Sequence, residues 1–179
     1  APNVAYTLTT SALTEGIHTV DVKAVDEMGN ESTVVSDTFT LDLSGPTITL
    51  TPLTPDPNGD ATPTLSGNAA DDTTNVVTVQ YRVDNGAWTN VNAFAAGLNV
   101  AFTFTSAALA EGNHTIDVKA ANAAGVESAL DSDTFEIRVD TLGPIVTLTP
   151  LQPNPTSDAT PTLSGNAIDA KSNVTNIQF

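Results

Sequence analysis

Between residues 47 and 140, apolar and polar side chains alternate along six stretches of the chain. In "VTVQYRVD" (77–84), Val79 and Tyr81 point to one side and Gln80 points to the other. Period-two alternation with Thr, Asp and Lys on the polar side is typical of antiparallel strands with one buried face. The predicted inward positions are Ile48, Leu50, Leu65, Gly67, Ala69, Val77, Val79, Tyr81, Val83, Val100, Phe102, Phe104, Ile116, Val118, Ala120, Phe135, Ile137 and Val139.

The connections between these stretches are rich in turn residues. "DNGAW" (84–88) has Asn-Gly where a two-residue hairpin needs positive φ angles, so the strand is predicted to fold back onto 88–91. "TSAALAEG" (105–112) predicts at most a single helical turn. About seven strands in about 97 residues predict an all-β fold, an immunoglobulin-like antiparallel β-sandwich.

The sequence also repeats itself. "EGIHTVDVKA", which starts at Glu15, returns as "EGNHTIDVKA", which starts at Glu111. "DATPTLSGNA", which starts at Asp60, returns unchanged from Asp158. The two spacings, 96 and 98 residues, match the size of one β-sandwich domain and exceed a solenoid unit.

Domain boundaries follow from this period and from the strand ends at Asp42 and Asp140. We predict the C-terminal half of an Ig-like domain at 1–43, a complete domain at 44–141 and an N-terminal half at 142–179. The chain is thus expected to be cut in mid-domain at both ends. Half a sandwich leaves apolar faces and strand edges uncovered, which invites pairing with other strands.

Two explanations of the half-domains stay open. Either the chain is a segment of a longer repeat protein, or the C-terminal half of one copy completes the N-terminal half of the next. The second contact does not close on itself, so it would build a head-to-tail homopolymer. The partners predicted in both cases are neighbouring Ig-like domains, of the same chain or of an identical one.

The amino-acid composition limits which partners, cross-links and membrane segments the protein can have. The 179 residues include 21 Asp and Glu but 5 Lys and Arg, a net charge of -16, which argues against nucleic acid and anionic membranes as partners. Cysteine is absent, which excludes disulfides and thiolate metal sites. No apolar stretch is long enough to span a bilayer, and "APNVAYTLTT" lacks the features of a signal peptide.

At this point the motifs resemble a known family. "EGIHTVDVKAVDEMGNES", "TPTLSGNA", "VQYRVDNGAW" and two Asp-x-x-Gly-Pro linkers resemble the tandem bacterial Ig-like domains of secreted giant adhesins, biofilm proteins and surface-layer proteins. The resemblance implies an extracellular, non-enzymatic structural repeat in a stalk, fibre, filament or surface layer. The alternative is an adhesive module that binds a carbohydrate or a receptor. Such modules serve several functions, so the function has to be inferred from the residues of the site and not from the fold.

The resemblance also implies calcium where domains join, bound by loop Asp and Asn residues and by the linker Asp. Carried over, it points to Asp26 and Asn30 of "DEMGN" and to Asp42, with Asp140 at the next joint. Asp42 is expected to lie near the other two. Asp26 becomes Asn122 in the second repeat, which weakens that copy of the site. A plain turn is the competing explanation of "DEMGN".

The remaining candidates favour structure over chemistry. His18 and His114 take the same strand position in successive repeats, which suggests packing. Trp88, the lone tryptophan, either packs over a neighbouring strand or, if exposed, serves as a ligand-binding platform. The acidic groups at 71–72 and 131–133 are interpreted as solvated loop carboxylates. No nucleophile elbow and no cleft-forming insertion occur, so no enzyme is predicted.

Overall fold

The computed structural model describes residues 4–92, 94–152, 154 and 156–179, and its regular secondary structure in these ranges is entirely β. The strands are β1 (Gly16–Val22), β2 (Val35–Leu41), β3 (Thr47–Leu50), β4 (Thr64–Ala70), β5 (Val76–Val83), β6 (Thr89–Asn90), β7 (Asn99–Thr105), β8 (Gly112–Asn122), β9 (Asp131–Ile137), β10 (Ile145–Leu148) and β11 (Gly165–Ile168).

Strands β3 to β9 form two antiparallel sheets that enclose one apolar core. One sheet has the order β3-β4-β7 and the other β6-β5-β8-β9. We call this unit the central sandwich. The all-β, Ig-like prediction is confirmed here. The buried apolar side chains are Leu50, Leu65, Ala69, Val76, Val79, Val91, Val100, Phe102, Phe104, Ile116, Val118, Ala120, Phe135 and Ile137.

The terminal segments form two further hairpins, whose registers copy pairs within the central sandwich. In β1–β2, Gly16 pairs with Leu41, as Gly112 pairs with Ile137 in β8–β9. Strands β10 and β11 repeat the β3–β4 pairing in the same way. The sequence repeat is therefore also a repeat of strand register. The predicted domain limits at 43 and 141 remain predictions.

Three local expectations are corrected. A bulge shifts the register between Val76 and Thr78, so Val76 is fully buried and Val77 is exposed. The positive φ angles of the hairpin fall on Asp84 and Asn85, one residue earlier than the Asn-Gly pattern predicts. Asp84 is held there because its carboxylate accepts a hydrogen bond from the Thr115 amide. The segment 106–111 is an irregular loop without a helical turn.

The acidic group at 131–133 is structural rather than simply solvated. Asp131 Oδ2 accepts a hydrogen bond from Leu50 N, and Asp133 Oδ2 accepts one from Leu53 N, both at 2.7 Å. Farther along the same segment, Asn58 bridges in parallel to Ile137. These contacts carry the chain after β3 across to β9, which ties the edges of the two sheets together.

Candidate functional site: the joint around Asp42

The three residues predicted to share a calcium site, Asp26, Asn30 and Asp42, do not converge. Asp26 and Asn30 lie beyond the Val22–Val35 end of the first hairpin, whereas Asp42 lies beyond the Gly16–Leu41 end. Seven-residue strands separate the two ends by about 20 Å, at about 3.3 Å per residue. The expectation that Asp42 lies beside Asp26 and Asn30 is therefore wrong.

Asp26 instead caps its own loop. Its Oδ1 accepts hydrogen bonds from Met28 N and Asn30 N, and its Oδ2 accepts one from Asn30 Nδ2 at 2.9 Å. The Asn30 side chain is the main cause that holds the Asp26 pKa below its ordinary value. Gly29, at a φ of 85°, supplies the left-handed residue of the turn.

The counterpart loop after β8 has the same backbone. Asn122 Oδ1 accepts a hydrogen bond from Val126 N at 2.9 Å, as Asp26 Oδ1 does from Asn30 N at 2.8 Å. Gly125 takes a φ of 83° in the place of Gly29. The second copy therefore keeps the loop, and the exchange of Asp for Asn changes only what the outer side-chain atom can do.

That outer atom, Asn122 Nδ2, lies where the linker between β2 and β3 meets the central sandwich. It is 2.8 Å from Asp42 Oδ2, 2.8 Å from the Ser44 carbonyl oxygen and 3.1 Å from Asp71 Oδ2. Asp42, Asp71 and Asn122 are all buried. An amide nitrogen has two hydrogens, so two donors serve three acceptors at this point. We call this cluster, with Glu15, Thr73 and Thr74, the first joint.

Hydrogen bonds stabilise the charged forms of Asp71 and Glu15. Burial acts to raise the pKa of Asp71, but the amides of Thr74 and Thr73 and the Asn122 side chain outweigh it, so the pKa lies below its ordinary value. The Thr74 hydroxyl donates to Asp42. On the exposed side, the Ser44 hydroxyl is the main cause that lowers the Glu15 pKa.

The linker between β2 and β3 is packed onto the sandwich. Pro46 is buried, and Gly45 passes so close to β8's following loop that a Cβ there would lie 2.2 Å from the Glu127 carbonyl oxygen. Only glycine fits this approach. The linker is thus fixed by a hydrogen-bonded carboxylate at Asp42 and by backbone contact at Gly45.

The second joint, around Asp140, uses different groups. Asp140 is exposed, and its Oδ1 accepts from Leu142 N at 3.1 Å. Lys171 Nζ lies 2.5 Å from Glu111 Oε1 and 3.1 Å from the Val139 carbonyl oxygen. In the first joint the equivalent contact joins the Thr73 hydroxyl to Glu15 Oε1 at 3.3 Å. A lysine therefore brings a positive charge to the second joint where the first has a hydroxyl.

The oxygen atoms that converge at the first joint are of the type that binds a hard cation, but they are few. Two carboxylates and a carbonyl oxygen converge, and Ca²⁺ prefers such oxygens but takes six to eight. Across the described ranges, no three Asp, Glu or His side chains are grouped as a metal site. The Asn122 amide and the Thr74 hydroxyl donate to Asp42, and Asn122 shares Asp71 with the amides of Thr73 and Thr74.

Trp88 is half-buried on the outer side of the β5–β8 pair. Arg82 lies 4.7 Å and Lys119 5.0 Å from the centre of its ring, which are cation–π distances. Arg82 also pairs with Asp117 at 2.8 Å. This arrangement packs the indole against its own sheet.

Asp71 and Asn122 are members of the joint that the sequence patterns did not predict. Its sequence context predicts that Asp71 is a solvated loop carboxylate, yet it is buried. A signal was present, because Asp71 recurs as Asp169 in the next repeat. Asn122 was noted as the counterpart of Asp26, but its partner across the linker is visible only in three dimensions.

Two sheets of three and four antiparallel strands around one core define this molecule as an immunoglobulin-like β-sandwich protein. Residues 58–141 match the family model of the bacterial Ig-like domain, which confirms the resemblance to bacterial Ig-like domains over these residues. No curated protein matches the chain.

Such domains are commonly extracellular, serve as surface, structural or adhesive modules and are typically non-enzymatic. In the part of the chain that the structure describes, no helix is long and apolar enough to cross a membrane.

Replacing Gly45 with Ala tests the packed linker. The new Cβ meets the Glu127 backbone, so we expect the free energy of unfolding of the central sandwich to fall by about 1–3 kcal/mol. Urea denaturation followed by the fluorescence of Trp88 measures this. Gly143→Ala is the matched control, because no atom lies within 4 Å of its Cβ position. Its expected change is within about 0.5 kcal/mol, and equal effects of the two substitutions would contradict the packed linker.

Proposed function

We propose that the chain is a non-enzymatic spacer segment of an extracellular surface protein, in which Ig-like units follow one another in tandem as part of a stalk, fibre or surface layer. The observation that carries this proposal is the packed linker of the first joint. A linker whose Asp42 and Pro46 are buried cannot swivel without exposing them, so adjacent units keep a fixed orientation. Stiffness of this kind is what a spacer requires.

The pattern of change between repeats supports the same function. Strand residues that fill the core recur, as does the Asp-x-x-Gly-Pro linker, whereas a loop group beside each linker differs, with Thr73 at one joint and Lys171 at the other. A catalyst needs one constellation of groups in one place, while a spacer needs only the fold and a firm joint. The adhesive alternative gains no support from Trp88, because cations from its own sheet lie over the ring.

Distance measurements between spin labels test the stiffness. The chain has no cysteine, so Thr40→Cys and Asn90→Cys, both at exposed positions on either side of the linker, give a clean labelled pair. We expect a single narrow distance distribution in double electron–electron resonance. The control pair, Ser66→Cys with Asn90→Cys, lies within the central sandwich. A distribution that is broad only for the pair across the linker would refute the spacer function.

Calcium binding at the joints is part of the proposal. At the first joint, Asp42 and Asp71 with the Ser44 carbonyl would hold the ion, and their carboxylates form no salt bridge within the described residues. Because the sequence repeats, Asp26 and Asn30 would occupy the corresponding positions at a preceding joint. Asp140 would do so at a following joint. Asp26 has a carboxylate oxygen where Asn122 has an amide nitrogen. A joint that contains Asp26 is therefore expected to bind calcium more tightly than the joint at Asn122.

Asn122→Asp tests this chemistry by installing the Asp26 residue at the first joint. After chelation, a third carboxylate that lacks a donor should lower the free energy of unfolding by about 1–3 kcal/mol. Calcium at about 100 times its Kd should restore about 2.7 kcal/mol. Thermal melts with calcium and with magnesium measure both steps.

Two variants serve as controls for the calcium experiment. Asp42→Asn should abolish the calcium response of the wild type, whereas Asp72→Asn, at the exposed neighbour of Asp71, should leave it unchanged. An identical calcium response in all four proteins would refute a site at this joint.

The uncovered hairpin faces support neighbouring Ig-like units as the partners. Leu163 is 55% exposed although its counterpart Leu65 is 2% exposed, and Phe39 is 38% exposed against 2% for Phe135. In the central sandwich these positions are covered by the opposite sheet. We propose that the equivalent sheet of a neighbouring unit, in the same or an identical chain, covers them here.

The intact mass of the denatured protein from its source distinguishes the two possible partners, a unit of the same chain and an identical chain. A mass near 18.4 kDa means that identical chains complete one another and form a head-to-tail homopolymer. A mass many times larger means that one covalent chain supplies its own neighbours. Monomeric behaviour of an 18.4 kDa protein at high concentration, seen in sedimentation, would refute both.

A further inference from the structure

Both ring nitrogens of His114 face groups that accept hydrogen bonds. Nδ1 lies 2.7 Å from Asp84 Oδ2, and Nε2 lies 2.9 Å from the Ala110 carbonyl oxygen. A neutral imidazole carries one N–H and can donate to only one of them, whereas an imidazolium carries two and donates to both. The geometry around the ring is therefore complete only for the protonated form.

The two acceptors belong to segments far apart in sequence, and both are held in place. Asp84 lies in the turn after β5, where its Oδ1 accepts from Thr115 N at 2.9 Å. Ala110 lies in the loop that precedes β8. His114 thus joins a hairpin turn to a loop, and its side chain is only 11% exposed.

The charged surroundings of the ring are simple within the described residues. The turn contributes the Asp84 carboxylate, and β9 contributes Phe135, an uncharged ring whose centre is 6.5 Å away. Glu111, in the same loop as Ala110, is paired with Lys171 instead. Asp84 is therefore the titratable group that faces His114.

We propose that His114 is a pH-operated clamp, which ties the turn at Asp84 to the loop at Ala110 when its ring is protonated and loses one tie when it is neutral. The inference goes beyond the spacer function and holds whether or not the joints bind calcium. It gives the central sandwich a stability that depends on the acidity of its surroundings.

The pKa shifts agree with this geometry and set the pH range. The Asp84 hydrogen bond, then that of Ala110, raises the pKa of His114 above its ordinary value of 6.5. The Thr115 amide, then His114, lowers the pKa of Asp84 below 3.8. The His114 contribution is full below about pH 6.5 and is lost as pH rises through the folded-state pKa. The Asp84 contribution is lost as pH falls through its own, so the clamp is strongest in mildly acidic conditions.

The first repeat contains one of the two contacts of the clamp, the one between the histidine and a carbonyl oxygen. His18 Nε2 lies 2.7 Å from the Thr14 carbonyl oxygen, and Thr14 is the counterpart of Ala110. The recurrence of both the histidine and its carbonyl partner is expected for a device that each unit of an array carries.

Urea denaturation at pH 5.5 and pH 8.5, followed by Trp88 fluorescence, tests the clamp in the full chain. We expect the denaturation midpoint of the wild type to fall as pH rises. His114→Gln should lose this pH dependence, and Asp84→Asn, which keeps an oxygen for Thr115 N, should reduce it. A His114→Gln protein with the pH dependence of the wild type would overturn the proposal.

Nuclear magnetic resonance of the ring nitrogens gives a test that no variant can obscure. In the folded wild type at pH 6.5, we expect His114 to carry protons on both Nδ1 and Nε2 in most molecules. A ring that is mainly neutral at that pH, with the chain folded, would equally overturn the clamp.

Discussion

The first joint depends on hydrogen bonds donated by one buried amide nitrogen, Asn122 Nδ2. Two carboxylates taken out of water destabilise a fold unless donors or cations satisfy them. Asn122 donates to both Asp42 and Asp71, and it reaches Asp42 only when the linker lies against the sandwich. Because β3 starts directly after Pro46, the position of the linker also fixes where the first strand of the sandwich begins.

Strand β8 connects the two features that distinguish this molecule. Its apolar middle, which includes Ile116 and Val118, is fully buried and anchors both ends. Asn122 closes the end of β8 at the joint, and His114 lies near the other end. One strand therefore carries a carboxylate network at one end of the sandwich and an imidazolium clamp at the other.

The two joints show how an acidic chain limits its own repulsion. With a net charge of -16, the chain has few cations to place. The first joint uses an amide and hydroxyls, whereas the second uses Lys171, which pairs with Glu111 while both side chains stay about half exposed. An exposed pair of this kind contributes at most about 1 kcal/mol. Loops can change in this way because they contact only a neighbour, while core strands contact the whole sheet.

The sequence alone determined the all-β fold, most inward positions and the repeat, because period-two alternation follows directly from strand geometry. It also pointed to Asp42 as a joint residue. Only the tertiary structure decided that Val76 replaces Val77 in the core, since the bulge depends on pairing with β8. Likewise, Asp71 and Asn122 are distant from Asp42 in sequence and meet it only when the linker folds back onto the sandwich. Local patterns record which face of a strand is buried, but contacts between loops depend on how the sheets pack.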